Sequence, residues 1–211
     1  NQTKVTVKKD GSPSIVAGYH PTSGKFFVAS KSVFNKEPKI NYSPEDIEKN
    51  HGHAPGLVEK LKSALHHLPK VMPKSGVYQG DMMYTSGDIK SDDTHHSFTP
   101  NTITYSASKD SEHGKAIAAA KMGVAFHTKY EGPSLDKMKA TFNPDSSKFK
   151  KHKDVHVISV QHDTAKSSLS PMEEKSFSNH LMKAKNMADK APDQTFHAMH
   201  GHEAHLETYI N

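Results

Sequence analysis

Apolar and polar residues alternate through the first third of the chain in the manner of strands. Val5-Thr6-Val7 runs into the polar stretch Lys8-Lys9-Asp10-Gly11, and Ser14-Ile15-Val16-Ala17-Gly18-Tyr19 follows. After His20-Pro21-Thr22-Ser23-Gly24 comes Lys25-Phe26-Phe27-Val28-Ala29-Ser30. Two or three antiparallel strands joined by glycine and proline turns account for this pattern. The period then changes. Ser43-Pro44-Glu45-Asp46 offers an N-cap, a proline at the first helical position and two acids beside the positive end of a helix dipole, so a helix is predicted to start there. A second helix is predicted after Pro55, where Leu57, Val58, Leu61, Ala64, Leu65 and Leu68 recur on one face, and Pro69 and Pro73 close it.

Strand signals return at Gly76 to Tyr84 and at Thr102 to Tyr105, with the polar stretch Ser86 to Thr99 between them read as a loop. A short alanine-rich helix, Lys115 to Lys121, precedes a strand from Gly123 to Tyr130. Glu131 to Lys153 is rich in Pro, Ser, Asp and Lys and reads as a loop or insertion, and Val155 to Val160 as one more strand. Ser170-Pro171-Met172-Glu173 has the spacing of a capping box opening a helix to about Lys190. Strands, helices, strands, helix, strand is the order of an α+β fold rather than a regular βαβ repeat. The division expected is one domain over 1–160 and a helical appendage over 161–211.

Composition narrows the function classes. Of 211 residues, 33% are hydrophobic, below the usual globular share, so long polar loops must surround the core. No stretch reaches the ~20 apolar residues of a membrane-spanning helix, and no secretory leader pattern opens the sequence. The expectation is a soluble cytoplasmic protein. Cysteine is absent, which removes disulfides, thiolate metal sites and cysteine nucleophiles together. All 28 basic residues are lysine, so arginine-finger chemistry is excluded too. With 23 acidic residues the net charge is +5, which suits a nucleotide or nucleic-acid partner.

The candidate chemistry begins at Lys8-Lys9-Asp10-Gly11, a lysine, any residue, an aspartate and a glycine at the end of the first strand. Asp-Gly is also a hairpin-turn signal. The segment Lys8 to Ser12 resembles the nucleotidyl-lysine motif of the covalent nucleotidyltransferases, which include ATP-dependent DNA ligases, RNA ligases and mRNA capping enzymes. Other motifs of that superfamily have counterparts in order. Ser30-Lys31-Ser32 resembles the short motif that follows the nucleophile. Gly80-Asp81 is similar to the Gly-Glu pair that binds the nucleotide ribose, Thr102 to Ser106 to the strand lining the nucleotide pocket, and Gly123-Val124-Ala125-Phe126 to the fourth motif. The first and fourth motifs also resemble those of uncharacterised tailed-phage proteins carrying Lys-Trp-Asp-Gly and Gly-Val-Val-Phe-His-Thr.

The resemblance implies mostly antiparallel sheets enclosing a nucleotide cleft, with helices outside. It implies ATP and Mg²⁺ as cofactors and a nucleic-acid 5′-phosphate as acceptor. Lys8 is then the nucleophile, Asp10, Gly11 and Asp81 line the nucleotide site, and Lys31 and Lys129 offer charge to phosphates. The chemistry fits the residue types: a nucleophilic lysine needs burial or a neighbouring positive charge to release its proton, and Lys9 is adjacent. Two departures favour an alternative, a catalytically silent relative with a virion or host-interaction role. Met122 stands where the fourth motif has its metal-linked glutamate, and no room remains for a C-terminal OB domain.

Histidine is abundant, with 17 copies. His197, His200, His202 and His205 crowd the C-terminal segment, with smaller groups at His51, His53, His66 and His67. No ordered set of three ligands emerges from their spacing, so a polar helix is the favoured reading over a metal site. Lys148 to Lys153 forms a basic run that reads as a loop.

Overall fold

A computed structural model describes residues 6–161 and 169–191. The chain divides into two units, Asn1–His162 and Asp163–Asn211. The first has an α+β fold built on mostly antiparallel sheets with a few helices.

The main sheet takes its strands from both ends of this unit. β1 (Ser14–Tyr19) and β2 (Phe26–Ala29) form the hairpin that the alternation predicts. β3 (Val77–Thr85) pairs with β1 on one side and β7 (Met122–Glu131) on the other. β8 (Lys139–Phe142) and β9 (Val155–Val157) both pair with β7, β9 in parallel. A second, three-stranded sheet holds β4 (Lys90–Ser91), β5 (His95–Phe98) and β6 (Tyr105–Ser108).

Helices α1 (Pro44–His51) and α2 (Pro55–His67) form as the sequence predicts. Ser43 and Asp46 close a reciprocal capping box at the start of α1, satisfying two otherwise orphaned amides. On α2 the apolar stripe Val58, Leu61, Ala64 and Leu68 is buried against Ile15, Ala17, Val28, Met82, Val124 and Phe126. That places α2 over one face of the main sheet. Helix α3 (Glu112–Ala119) starts earlier than its alanine run suggests, because the Ser111 hydroxyl accepts from the Gly114 amide and caps it.

Two predicted loops contain strands. Within 86–99, Asp92 accepts from the Thr94 and His95 amides, and this side-chain turn joins β4 to β5. Within 131–153, β8 is exposed along its whole length and so leaves no alternation to read. The predicted strand Thr102–Tyr105 begins only at Tyr105, since Thr102 is engaged elsewhere.

In the second unit, Ser170 and Glu173 form the predicted capping box of α4 (Pro171–Ala188). Its side chains are exposed throughout, Phe177 and Leu181 included. The histidines at 197–205 lie outside the described residues.

Candidate functional site

Register assigns each strand residue to a face. In β3, Tyr78, Gly80 and Met82 point to the helix-covered face with Ile15, Ala17, Val124 and Phe126. Val77, Gln79 and Asp81 point to the other. That second face carries two separate apolar clusters. One contains Val16, Phe27, Ala29, Val33 and Val77. The other contains Met83, Tyr84, Phe98, Ile117 and Ala125. Between them runs a polar strip of Ser14, Gln79, Asp81, His127 and Thr128.

The strip is internally bonded. Tyr130 donates its hydroxyl to Gln79 Oε1 at 2.7 Å, and Gln79 Nε2 donates to Ser14 Oγ at 3.4 Å. Asp81 retains only 20% of its side-chain exposure. Burial pushes its carboxyl above the ordinary aspartate value, while His127, the Ser14 hydroxyl and the Lys31 ammonium pull it back down. His127 Nε2 stands 3.9 Å from Asp81 Oδ2, and its Nδ1 is 2.8 Å from Thr128 Oγ1.

His127 and Thr128 share this face because β7 is bulged. Gln79 pairs with Thr128 and Gly80 with Phe126, leaving His127 as an extra residue between them. Such a bulge reverses the alternation of everything beyond it. Lys129 therefore lies opposite Tyr78 on the helix-covered side, where its ammonium pairs with Glu131 at 2.7 Å and lies 5.9 Å from the Tyr78 ring centre. The structure does not bring Lys129 to the strip.

The Lys8–Gly11 segment does reach it. Thr6 bridges to Gln161, and the Val7 amide donates to the Val160 carbonyl. The chain then leaves for β3, where the Ser12 amide donates to the Met82 carbonyl at 3.0 Å. Gly11 is seated on β3 so closely that a Cβ there would lie 2.6 Å from Asp81 Cβ and 2.9 Å from the Met82 carbonyl oxygen. Only glycine permits that approach. Lys8 is exposed, three residues earlier.

Asp10 serves as an anchor for the loop ahead of β6. Its Oδ1 accepts from Asn101 Nδ2 at 3.1 Å, and its Oδ2 from the Thr102 amide and hydroxyl at 3.3 and 2.9 Å. These bonds hold its carboxyl below the usual range, with a smaller contribution from the Lys8 charge. The Asp10 amide donates to the Tyr105 hydroxyl at 2.7 Å, and the Lys9 ammonium is 5.7 Å from the centre of the Tyr105 ring. With its oxygens so engaged, Asp10 positions backbone rather than offering a free carboxylate.

Gly11 thus contacts Asp81, Lys31 and Asp10 lie within electrostatic range of Asp81, and Lys8 acts on Asp10 alone among these residues. His127 and Asn101 join them without having been named as site residues in the sequence, and Tyr105 comes from the Thr102–Ser106 segment matched there to the pocket strand. Met122 is fully buried on the helix-covered face, in the cluster that packs on α2. Among the described residues, no group of three or more His, Asp and Glu side chains is placed to hold a metal ion. No helix among them is long and apolar enough to cross a membrane.

One family model matches residues 1–211, that of a family of unknown function, DUF6267. The chain belongs to DUF6267. No curated protein and no solved structure matches it. In this DUF6267 member the polar strip and the Lys8–Gly11 segment seated on it bring polar and charged side chains together on one face of the main sheet.

Proposed function

We propose that this DUF6267 protein is a nucleotidyltransferase of polynucleotide-ligase type, with Lys8 as the nucleophile. The observation that carries the reading is the seat of Gly11 on Asp81. It joins the Lys-x-Asp-Gly segment to the Gly-Asp strand across nearly seventy residues, in the arrangement a single nucleotide contacting both would need. The neighbouring Lys31 ammonium and the His127 ring, a potential N–H donor, suit a phosphate-bearing ligand.

In this reading the Lys8 amine, once deprotonated, attacks the α-phosphorus of ATP. A nitrogen–phosphorus bond forms, the bond from that phosphorus to the bridging oxygen breaks, and pyrophosphate leaves with the electron pair. The AMP group then passes to a nucleic-acid 5′-phosphate, restoring the free lysine. Gly11 lets the backbone lie close to Asp81, Asp10 fixes the approach by tying down 101–102, and Lys31 meets developing negative charge. Among the described residues no group of three or more His, Asp and Glu side chains is placed to hold a metal ion, so Mg²⁺ would enter with the ATP phosphates.

A second reading is the catalytically silent relative with a virion or host-interaction role. The burial of Met122 favours it, because that position faces away from the strip. One experiment separates the two. With ATP labelled at the α-phosphate and Mg²⁺ present, the wild-type chain should acquire label that survives denaturing electrophoresis and is lost in acid, as a phosphoramidate is. Lys8→Ala should abolish the label and Lys9→Ala should reduce it less. An unlabelled wild type that still binds ATP establishes the silent reading. A chain that neither labels nor binds nucleotide leaves Lys8–Gly11 as a turn.

A further inference from the structure

A cleft of about 760 Å³ opens between α3, the 146–153 segment and β9. It is lined by residues other than those of the polar strip. One wall is small and apolar, made by Ala116, Ala119 and Ala120 of α3, with Val155 and Val157 nearby. The other carries Lys150, Lys151 and Lys153, all exposed. Among the described residues none of these three lysines is in an ion pair. The neighbouring Asp154 is already engaged by Lys70 at 2.6 Å. Glu112 is the one carboxylate in the lining.

The inner end of the cleft has a fixed hydrogen-bond polarity. Tyr84 is buried, and His156 Nδ1, 2.9 Å from its hydroxyl, is that hydroxyl's hydrogen-bond partner. A buried hydroxyl must place its proton on an acceptor, so Tyr84 donates to His156 Nδ1. The remaining His156 proton is then on Nε2, 3.4 Å from His113 Nδ1. His113 accepts there, which leaves its own proton on Nε2 as a donor at the cleft. Burial holds His156 neutral, down to about 4, so Tyr84 keeps its acceptor at physiological pH.

We infer that the cleft is a binding groove for single-stranded nucleic acid, gripped through its phosphates by Lys150, Lys151, Lys153 and the His113 N–H. Lysines act as point charges on a backbone and carry no base preference. An apolar wall facing a cationic rim suits a strand that carries bases on one side and phosphates on the other. The inference extends the proposed reading by giving the acceptor strand a place, but it needs no chemistry at Lys8.

The test measures fluorescence anisotropy of a labelled 12-nucleotide single-stranded RNA against the full chain over a salt series. The wild type should bind with a steep salt dependence. The triple variant Lys150→Glu, Lys151→Glu, Lys153→Glu should lose at least tenfold in affinity, and its salt slope should fall by about two units, at roughly 0.7 per phosphate on a single strand. A control carrying Lys25→Glu, Lys49→Glu and Lys90→Glu, all exposed and outside the cleft, has the same change in net charge. Circular dichroism checks that the triple variant folds, and the single variant Lys151→Glu provides a milder case. Equal losses in the control and the triple variant overturn the proposal. So does polyglutamate competing as strongly as RNA, which would assign the groove to an acidic protein, or inorganic phosphate alone abolishing binding at low millimolar levels. Self-labelling at Lys8 should be unchanged in the triple variant, so failure of the groove and failure of the nucleotidyltransferase reading are distinguishable.

Discussion

The two faces of the main sheet are made by the same strands and have opposite characters. On the helix-covered face, Ile15, Ala17, Val28, Met82, Val124 and Phe126 form one unbroken apolar surface sealed by α2. On the other, two apolar clusters leave a gap filled by Ser14, Gln79, Asp81, His127 and Thr128. Continuous burial maximises the hydrophobic contribution and needs no polar partner. The interrupted face gives up that continuity and keeps the half-buried Asp81 carboxyl 3.9 Å from a ring nitrogen of His127. The covered face holds the fold together, while the interrupted face keeps polar side chains that such packing does not require.

The largest effect is expected from placing a carboxylate on the covered face. Met122→Glu would bury a charge among aliphatic side chains with no partner there, and should cost on the order of 3 kcal/mol or more in urea unfolding. It should not increase self-labelling, because the side chain points away from Asp81. A folded, hyperactive Met122→Glu would show that the two faces are not distinct.

Asp81→Asn asks the converse question on the interrupted face, with a smaller effect of opposite sign. The Asp81 carboxyl is raised by burial, so the unfolded chain ionises first as pH increases. Stability from this group is therefore lost as pH rises from about 4, the ordinary carboxylate value, through the raised folded value, and the loss stays constant above it. The Asn variant should melt higher than wild type at pH 7, and the difference should vanish below that ordinary value. Nucleotide binding should weaken at the same time, a trade of function for stability. Equal melting temperatures at all pH values would place Asp81 in ordinary solvent.

The smallest expected effect is at Lys129. Lys129→Ala should leave nucleotide binding and self-labelling within about twofold, since its ammonium belongs to Glu131 and Tyr78 on the covered side. A large loss of labelling would restore it to the site.

Much of the fold is legible before any coordinates. The Ser43 cap, the stripe from Val58 to Leu68 and the β1–β2 hairpin each carry a strong local signal, because capping and period depend on neighbours in sequence. The site is legible in part: Lys8, Gly11 and Asp81 belong to recognisable short motifs. Asn101 is not legible, because its contact with Asp10 spans 91 residues and has no periodic trace. His127 and Lys129 exchange importance through a single unpaired residue, and a second bulge at Met83 acts on β3 in the same way. Periodicity cannot locate a bulge, because one extra residue shifts phase without changing composition.

The bulge at His127 also bears on how relatives of this chain are to be compared. A one-residue insertion or deletion between Phe126 and Thr128 in another family member changes no residue type downstream, yet it moves every following side chain to the opposite side of the sheet. Two sequences aligned with a gap there can match at Lys129 and still present that lysine to different neighbours. In this family a gap of one column is a change of address, and the identity of a residue is informative only once its place relative to the gap is known.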